Sequence, residues 1–481
     1  MDTSILRCAI ALAIFATVAP AAAQQKPDDD EEIVAKPHPP AAPPNAPTAI
    51  APSPASTPVA DPQQPQAAAE RVELEELRAR VDRLEKRRSP VHALTDSFTL
   101  TAYMQAQYES HQDSDDQLRQ GGALYNQDRF LVRRARIRLD GDWEYAATAL
   151  EIEGNTTSGT RFGLRKAEAS LQYRADRTKK TAPFVMATLG LFDTPFGYEL
   201  WESPRFRPFM ERTTASRSMF PGEPDLGLRV LGGFGFFRWS VAAVNGEPVD
   251  ERTPFPGQDP NQAKDIVVRL GFDADPRTDL NVAGGVSALR GKGFHAGTDA
   301  TKSTIEWRDL NEDGVIQNTE LTPIPGAAAT PSQNFSRWLV GADVQAKLQT
   351  RYGTTKVYAE LQVGNNMDRG LFVSDPVLLG IDTRQLGWYV GVLQDVTKHG
   401  IVGVRYDYYD PNSDALDKRG GKLLPFSQAI ETWSPLVGLV VPHAKLLFQY
   451  DVVDNKLARD ALGVPTKLKS NTLTVRLQVE L

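Results

Sequence analysis

A single cysteine, six histidines and no long apolar run mark this chain, and each shortage removes a class of protein. The cysteine, Cys8, lies within the first 23 residues, so nothing beyond them can carry a disulfide framework or a thiolate site. The histidines are scattered, no nucleophile has a base partner at a telling spacing, and no glycine-rich phosphate loop opens a helix, so no enzymatic activity is expected. Past residue 23 no segment holds the roughly 18 apolar residues of a transmembrane helix. A mean hydropathy of -0.37 and a formal net charge of -7 then read as soluble. That reading fails for a membrane β-barrel, which spreads its apolar residues over every second position and leaves no run for an average to find.

What is present is sharply divided along the chain. Residues 1–23 carry Arg7, an apolar stretch from Cys8 to Ala19 and the small residues Ala21, Ala22 and Ala23, the pattern of a secretory signal peptide. Residues 24–66 form a Pro/Ala-rich linker, too poor in large apolar side chains to bury a core and expected to be extended. Within residues 67–89, Leu74, Leu77, Val81 and Leu84 recur at spacings of three and four among Glu and Arg, which predicts a short coiled-coil helix of about two heptads.

From residue 96 to 481 the period changes to two, and about sixteen segments read as strands, the first at 98–109 and the last at 471–481. Long and short connections alternate between them. "SHQDSDDQLRQGGALYNQD", "GNTTSGTRFG" and the stretches 193–225, 290–335, 364–384 and 411–430 are long, while "EY", "FG", "TRYG", "TKHG" and "PH" are short. The expected fold is all-β, a transmembrane antiparallel β-barrel of about 16 strands with short turns on one side and long loops on the other. A soluble sandwich has no reason to keep that asymmetry.

In "FLVRRARIRLDGDW" the residues Arg134, Arg136, Arg138 and Asp140 share one face, with Leu131, Ala135, Ile137 and Leu139 on the other. A charge at the lipid face of a barrel midplane costs about 2 to 4 kcal/mol, so the arginines are expected inward as a ladder along the lumen. Arg133 breaks the phase and is expected near the outer rim or in a bulge. The same phasing turns Lys166, Arg174, Arg229, Arg238, Arg269, Lys347, Arg405 and Arg476 inward, with Glu151, Glu153, Glu168, Asp343 and Asp407 offsetting part of their field. Arg205, Arg207, Arg212 and Arg217 fall in the third long connection. Folded inward, that connection would narrow the lumen and ring it with positive charge, the arrangement that selects anions. If it stays outside, they are a basic surface patch.

"FLVRRARIRLDGDW", "EIEG" and "LGLFDTPFGYELWESPRFRPFMERTTASRSMFPGEPDLGLRVLG", in this order, resemble the phosphate-selective porin O/P family. The layout covers residues 96–481, and the specific motifs fall within about 129–232. The resemblance implies a trimeric outer-membrane channel with an inward-folded third loop that passes anions such as phosphate or polyphosphate. It also implies the ladder role for Arg134, Arg136 and Arg138 and a constriction role for Arg205, Arg207, Arg212 and Arg217. The expected partners are therefore outer-membrane lipid, inorganic anions and two further copies of the chain, with no nucleic acid. The chain departs from the usual assembly signature by ending on Leu481, where a terminal Phe or Trp is typical.

One motif stands apart. "DLNEDGVIQNTE" matches a calcium loop, with Asp309, Asn311 and Asp313 as side-chain oxygens, Gly314 for the turn, Val315 through its carbonyl, Gln317 at the water-mediated place and Glu320 bidentate. Pro323 and Pro325 block a full exiting helix, so a lone, weak site at the mouth of a channel is expected, with no cofactor required otherwise. The alternative reading is a secreted or surface calcium-binding β-protein or adhesin without a pore.

Overall fold

The computed structural model describes residues 98–112, 128–174, 182–207, 209–248, 258–457 and 470–481. The expected signal peptide, linker and coiled-coil helix lie outside the described residues. Alternation of apolar and polar side chains builds the first nine strands: β1 (Phe98–His111), β2 (Arg129–Asp142), β3 (Ala146–Asn155), β4 (Arg161–Tyr173), β5 (Val185–Asp193), β6 (Pro224–Phe234), β7 (Phe237–Val244), β8 (Asp265–Arg277) and β9 (Leu280–His295). A small hairpin, β10 (Thr304–Trp307) and β11 (Leu321–Ile324), precedes β12 (Gln333–Thr350), β13 (Gly353–Asn365), β14 (Arg384–Asp395) and β15 (Gly400–Asp410). A second hairpin, β16 (Leu416–Arg419) and β17 (Lys422–Pro425), precedes β18 (Ile430–Val441), β19 (Ala444–Asn455) and β20 (Thr472–Glu480). Leaving out the two hairpins, sixteen strands pair antiparallel in chain order, and β20 closes on β1.

The asymmetry of the connections persists. Residues 235–236, 278–279, 351–352 and 442–443 turn at one end, while 194–223, 296–332, 366–383 and 411–429 connect at the other. The stretch after β3 is a correction. Instead of a long loop, β3 and β4 run on and leave only residues 156–160, because Gly159 at φ +85° and the Thr156 hydroxyl, which accepts from the Val132 amide at 2.9 Å, close a tight turn. Three register shifts interrupt the pleat; one, between Ala274 and Arg277, lies at the short turn 278–279, and the other two are bulges at arginines. Gln105 faces Arg134 and Ala106 faces Val132, so Arg133 is the extra residue, as the broken phase suggested; Glu151 faces Lys166 and Ile152 faces Leu164, so Arg165 is a second one.

The barrel is inside out compared with a soluble core. Leu100, Ile137, Leu189, Val286 and Leu361 are exposed on the outer face, while Gln105, Thr188, Gln385 and Ser434 are buried within. Aromatic side chains sit near both rims. Phe98 meets Trp143 edge-on at 5.3 Å beside a short turn, and Tyr406 lies 5.1 Å from Trp388 and 4.8 Å from Trp433 near the long loops. Closure satisfies every strand edge without water, and the apolar band between aromatic girdles matches a bilayer, so the chain is an outer-membrane barrel.

Candidate functional site

The connection 194–223 folds into the lumen, and its entry depends on Gly197. At φ +61°, Gly197 donates its amide to the Ser287 hydroxyl at 3.0 Å, and the amides of Tyr198 and Glu199 then reach the Glu360 carboxylate at 3.2 Å. A Cβ on Gly197 would stand 1.9 Å from Glu360 Oε1. Replacing Gly197 with Ala is therefore expected to combine left-handed strain with a clash at the latch and to cost about 1 to 3 kcal/mol, read as a lower thermal midpoint of the refolded barrel. An unchanged midpoint would mean that the entry is not held as described.

Apolar side chains carry the segment across. Phe196, Leu200, Met219 and Phe220 pack with the wall residues Phe192, Val244, Val267, Leu339 and Tyr409. Phe209 and Met210 pack with Tyr358, Tyr389 and Leu393. Between the two groups runs the single-turn helix α1 (Thr214–Met219), capped by the Thr213 hydroxyl. On the far side the Met210 amide donates to Gln449 at 3.0 Å, Arg476 donates to the Met210 carbonyl at 2.5 Å, and Gln105 donates to the Pro204 carbonyl at 3.2 Å.

The arginines of β2 do point inward, but they are not a row of free guanidinium groups. Arg134 pairs with Glu211 at 3.0 Å, Arg136 with Glu151 at 2.9 Å and Glu153 at 2.5 Å, and Arg138 with Asp140 at 2.7 Å. Arg134 and Arg136 are each only 5% exposed, and a cation so far out of water requires a carboxylate beside it. The arginines of the expected ladder thus stand in a column of ion pairs. The loop arginines divide. Arg205 pairs with Glu480 at 2.5 Å and stacks over Phe206. Arg207 and Arg212 are buried against Glu223 and against carbonyls of their own loop, where they hold its shape rather than ring an opening. Only Arg217 is exposed with no ion pair among the described residues.

The remaining inward cations follow the same rule: Lys166 with Asp193, Arg229 with Glu168, Arg269 with Asp343, Arg405 with Glu199 and Arg476 with Glu211. Lys347 is the exception. It lies directly across from Lys356, both are exposed on the lumen side near the short turn 351–352, and neither has an ion pair among the described residues. Like charges directly opposite each other destabilise a sheet. Lys356 was not singled out in the sequence, although its phase with Glu360 and Gln362 places it on the same face.

Two loop carboxylates act as hubs. Burial pushes the Glu211 carboxyl up, but Arg133, Arg134 and Arg476 outweigh it and hold it well below the ordinary carboxylate range. Burial acts on Glu223 in the same direction, and Arg165, Arg212 and Arg207 likewise hold it well below that range. At Glu202 burial outweighs the nearby Arg207 and Lys356 and raises the carboxyl.

The Asp309–Glu320 loop bends at Gly314 with φ +71°, as its pattern requires. Its oxygens, however, serve the protein itself. Asp309 accepts from the amides of Asp313 and Gly314, and Asn311 and Gln317 donate to Asp313. Glu320 accepts from the Trp307 indole and the Leu310 amide, while Val315 is exposed. Among the described residues no three acidic, His or Cys side chains cluster as a metal site; the expected set also draws on Asn311, Gln317 and the Val315 carbonyl.

No family model matches this chain and no curated protein does, so the narrower likeness to the phosphate-selective porin O/P family rests on the motifs alone. Solved structures do match. OprB of Pseudomonas putida at high pH aligns with a TM-score of 0.50 at 11% identity, over 81% of this chain and 96% of that one. An anion-selective porin from Comamonas acidovorans gives 0.46 at 11% identity, over 80% and 99%, and outer-membrane-expressed OmpT of Vibrio cholerae gives 0.45 at 11%, over 80% and 97%. At such identity the likeness is one of architecture: this chain has the fold of a bacterial outer-membrane porin.

Proposed function

We propose that the protein is a passive outer-membrane channel for small anions, narrowed by the inward loop 194–223. The observation that carries this reading is the charge left over inside the barrel. Ion pairs cancel the arginine column, and the unpaired lumen cations Lys347, Lys356 and Arg217 supply the field that a passing ion meets. Glu202, Glu360 and Asp451, also on the lumen side without an ion pair among the described residues, oppose them in part. The motif likeness adds phosphate or polyphosphate as the permeant class and a homotrimer as the assembly.

The test is the reversal potential across a planar bilayer under a KCl gradient. The unaltered protein is expected to favour chloride. Replacing Lys347 and Lys356 together with Gln should move the potential toward zero, whereas Arg134→Ala should act mainly by loosening the loop. Cation preference in the unaltered protein would overturn the reading, and an unchanged potential in the double variant would remove the lysines from it. Phosphate competing against chloride in the same cell separates phosphate transport from general anion passage.

A further inference from the structure

The outer wall carries a feature that transport does not use. On β9 the exposed residues Val286 and Ala288 alternate with buried Ser287 and Leu289, so Arg290 and Lys292 continue the lipid-facing row. Both are exposed and have no ion pair among the described residues. They stand at the long-loop end of the strand, with Trp338 of β12 and Ile266 of β8 directly beside Arg290 and Ser336 beside Lys292. A tryptophan at that level marks the boundary between hydrocarbon and headgroups. Arg384, on β14 three strands from β9, is already matched by Asp414 at 3.4 Å.

Immediately below, the wall is concave. Val268, Val286, Ala288, Val340, Ala342 and Leu361 line an apolar groove of about 430 Å³, hollow because alanines occupy positions where larger side chains flank them. Ala288 pairs with Val340 and Val268, and Arg290 lies two positions further along the same face, about 7 Å at strand rise. An apolar groove ending in two unpaired cations at the interface matches an acyl chain joined to an anionic headgroup.

We propose that this groove is a binding site for a phosphorylated lipid of the outer leaflet, with an acyl chain along Ala288 and Ala342 and a phosphate held by Arg290 and Lys292. The site goes beyond channel function, because it lies on the opposite side of the wall from the lumen. Long loops face the exterior in such barrels, which puts the cations in the leaflet where phosphorylated glycolipid resides.

Equilibrium binding to the full-length refolded protein, read by native mass spectrometry, tests it with diphosphorylated lipid A, the same lipid stripped of phosphate, and inorganic phosphate. Arg290→Gln with Lys292→Gln should weaken diphosphorylated lipid A about thirtyfold, taking about 1 kcal/mol per cation and 1.4 kcal/mol per tenfold. Ala288→Phe, which fills the groove and leaves the cations, should weaken it too, while Lys398→Gln at the opposite rim should not. Each variant is first checked for heat-modifiable migration, and its conductance is recorded separately, so a failed channel reading leaves this result standing. Equal binding by the double variant, equal binding of phosphate-free lipid, or full competition by inorganic phosphate would each overturn the proposal; the last would indicate a free-phosphate site.

Discussion

Replacing Glu223 with Gln is expected to destabilise the whole barrel more than any other single exchange in the lumen. Its carboxylate, 8% exposed at the side chain, receives Arg165, Arg207 at 3.4 Å and Arg212 at 2.9 Å, which are themselves 5%, 2% and 7% exposed. A neutral amide would deprive those buried cations of their shared carboxylate, while Asp193 stays 3.2 Å from Arg165. Removing one side of a buried ion pair costs on the order of 3 to 5 kcal/mol, a large share of a typical stability margin. The expected readout is a lower urea midpoint and loss of the heat-resistant, fast-migrating form at neutral pH. The pH dependence has a definite sign. A carboxyl held below its unfolded value contributes stability above that value, about 4.3 for Glu, and loses it as pH falls through the lower folded value. The gap between variant and unaltered protein should therefore be constant through neutral pH and close only in strong acid. A midpoint within about 1 kcal/mol of the unaltered protein would remove Glu223 as the root of the loop.

The second large effect is on passage. Glu211 ties the far end of the loop to Arg133 at 2.9 Å, Arg134 at 3.0 Å and Arg476 at 2.5 Å, across strands from both sides of the closure between β1 and β20. In Glu211→Gln the anchor loses its charge while the entry latch at Gly197 and Glu360 stays intact. The loop should then swing from its root, and single-channel conductance should rise and become noisier. Arg133 is 26% exposed and can turn to water, while the buried Arg134 and Arg476 keep Gln105 and Gln107 as acceptors, so the stability loss should be smaller than for Glu223→Gln. Conductance equal to that of the unaltered protein would mean that this loop does not set the narrow point.

Much of this architecture is legible in the residues. A strict period of two with charges confined to one phase can satisfy lipid outside and water inside only if the sheet closes, and that logic turns Arg134, Arg229, Arg405 and Arg476 inward correctly. It cannot tell which of them remain free. Pairing depends on register and on the path of a loop, and Glu211 meets Arg134 across 77 residues of chain. The doublet Arg165-Lys166 looks like any other charged pair until the register with β3 shows the bulge. Lys356 escaped notice for the opposite reason: its importance lies in a missing acid, which only the neighbouring strands reveal.

The loop described above also changes the barrel as a mechanical object. A wide ring of hydrogen-bonded strands is a thin shell, soft against flattening when lateral pressure in the bilayer is uneven. Fastenings at Ser287, Glu360, Arg405, Gln449, Arg476 and Arg134 join distant points of the circumference through one covalent segment, like the spokes of a wheel. Stiffness of the cross-section and width of the opening are thereby set by the same thirty or so residues, so any change that widens the passage will also make the wall easier to deform.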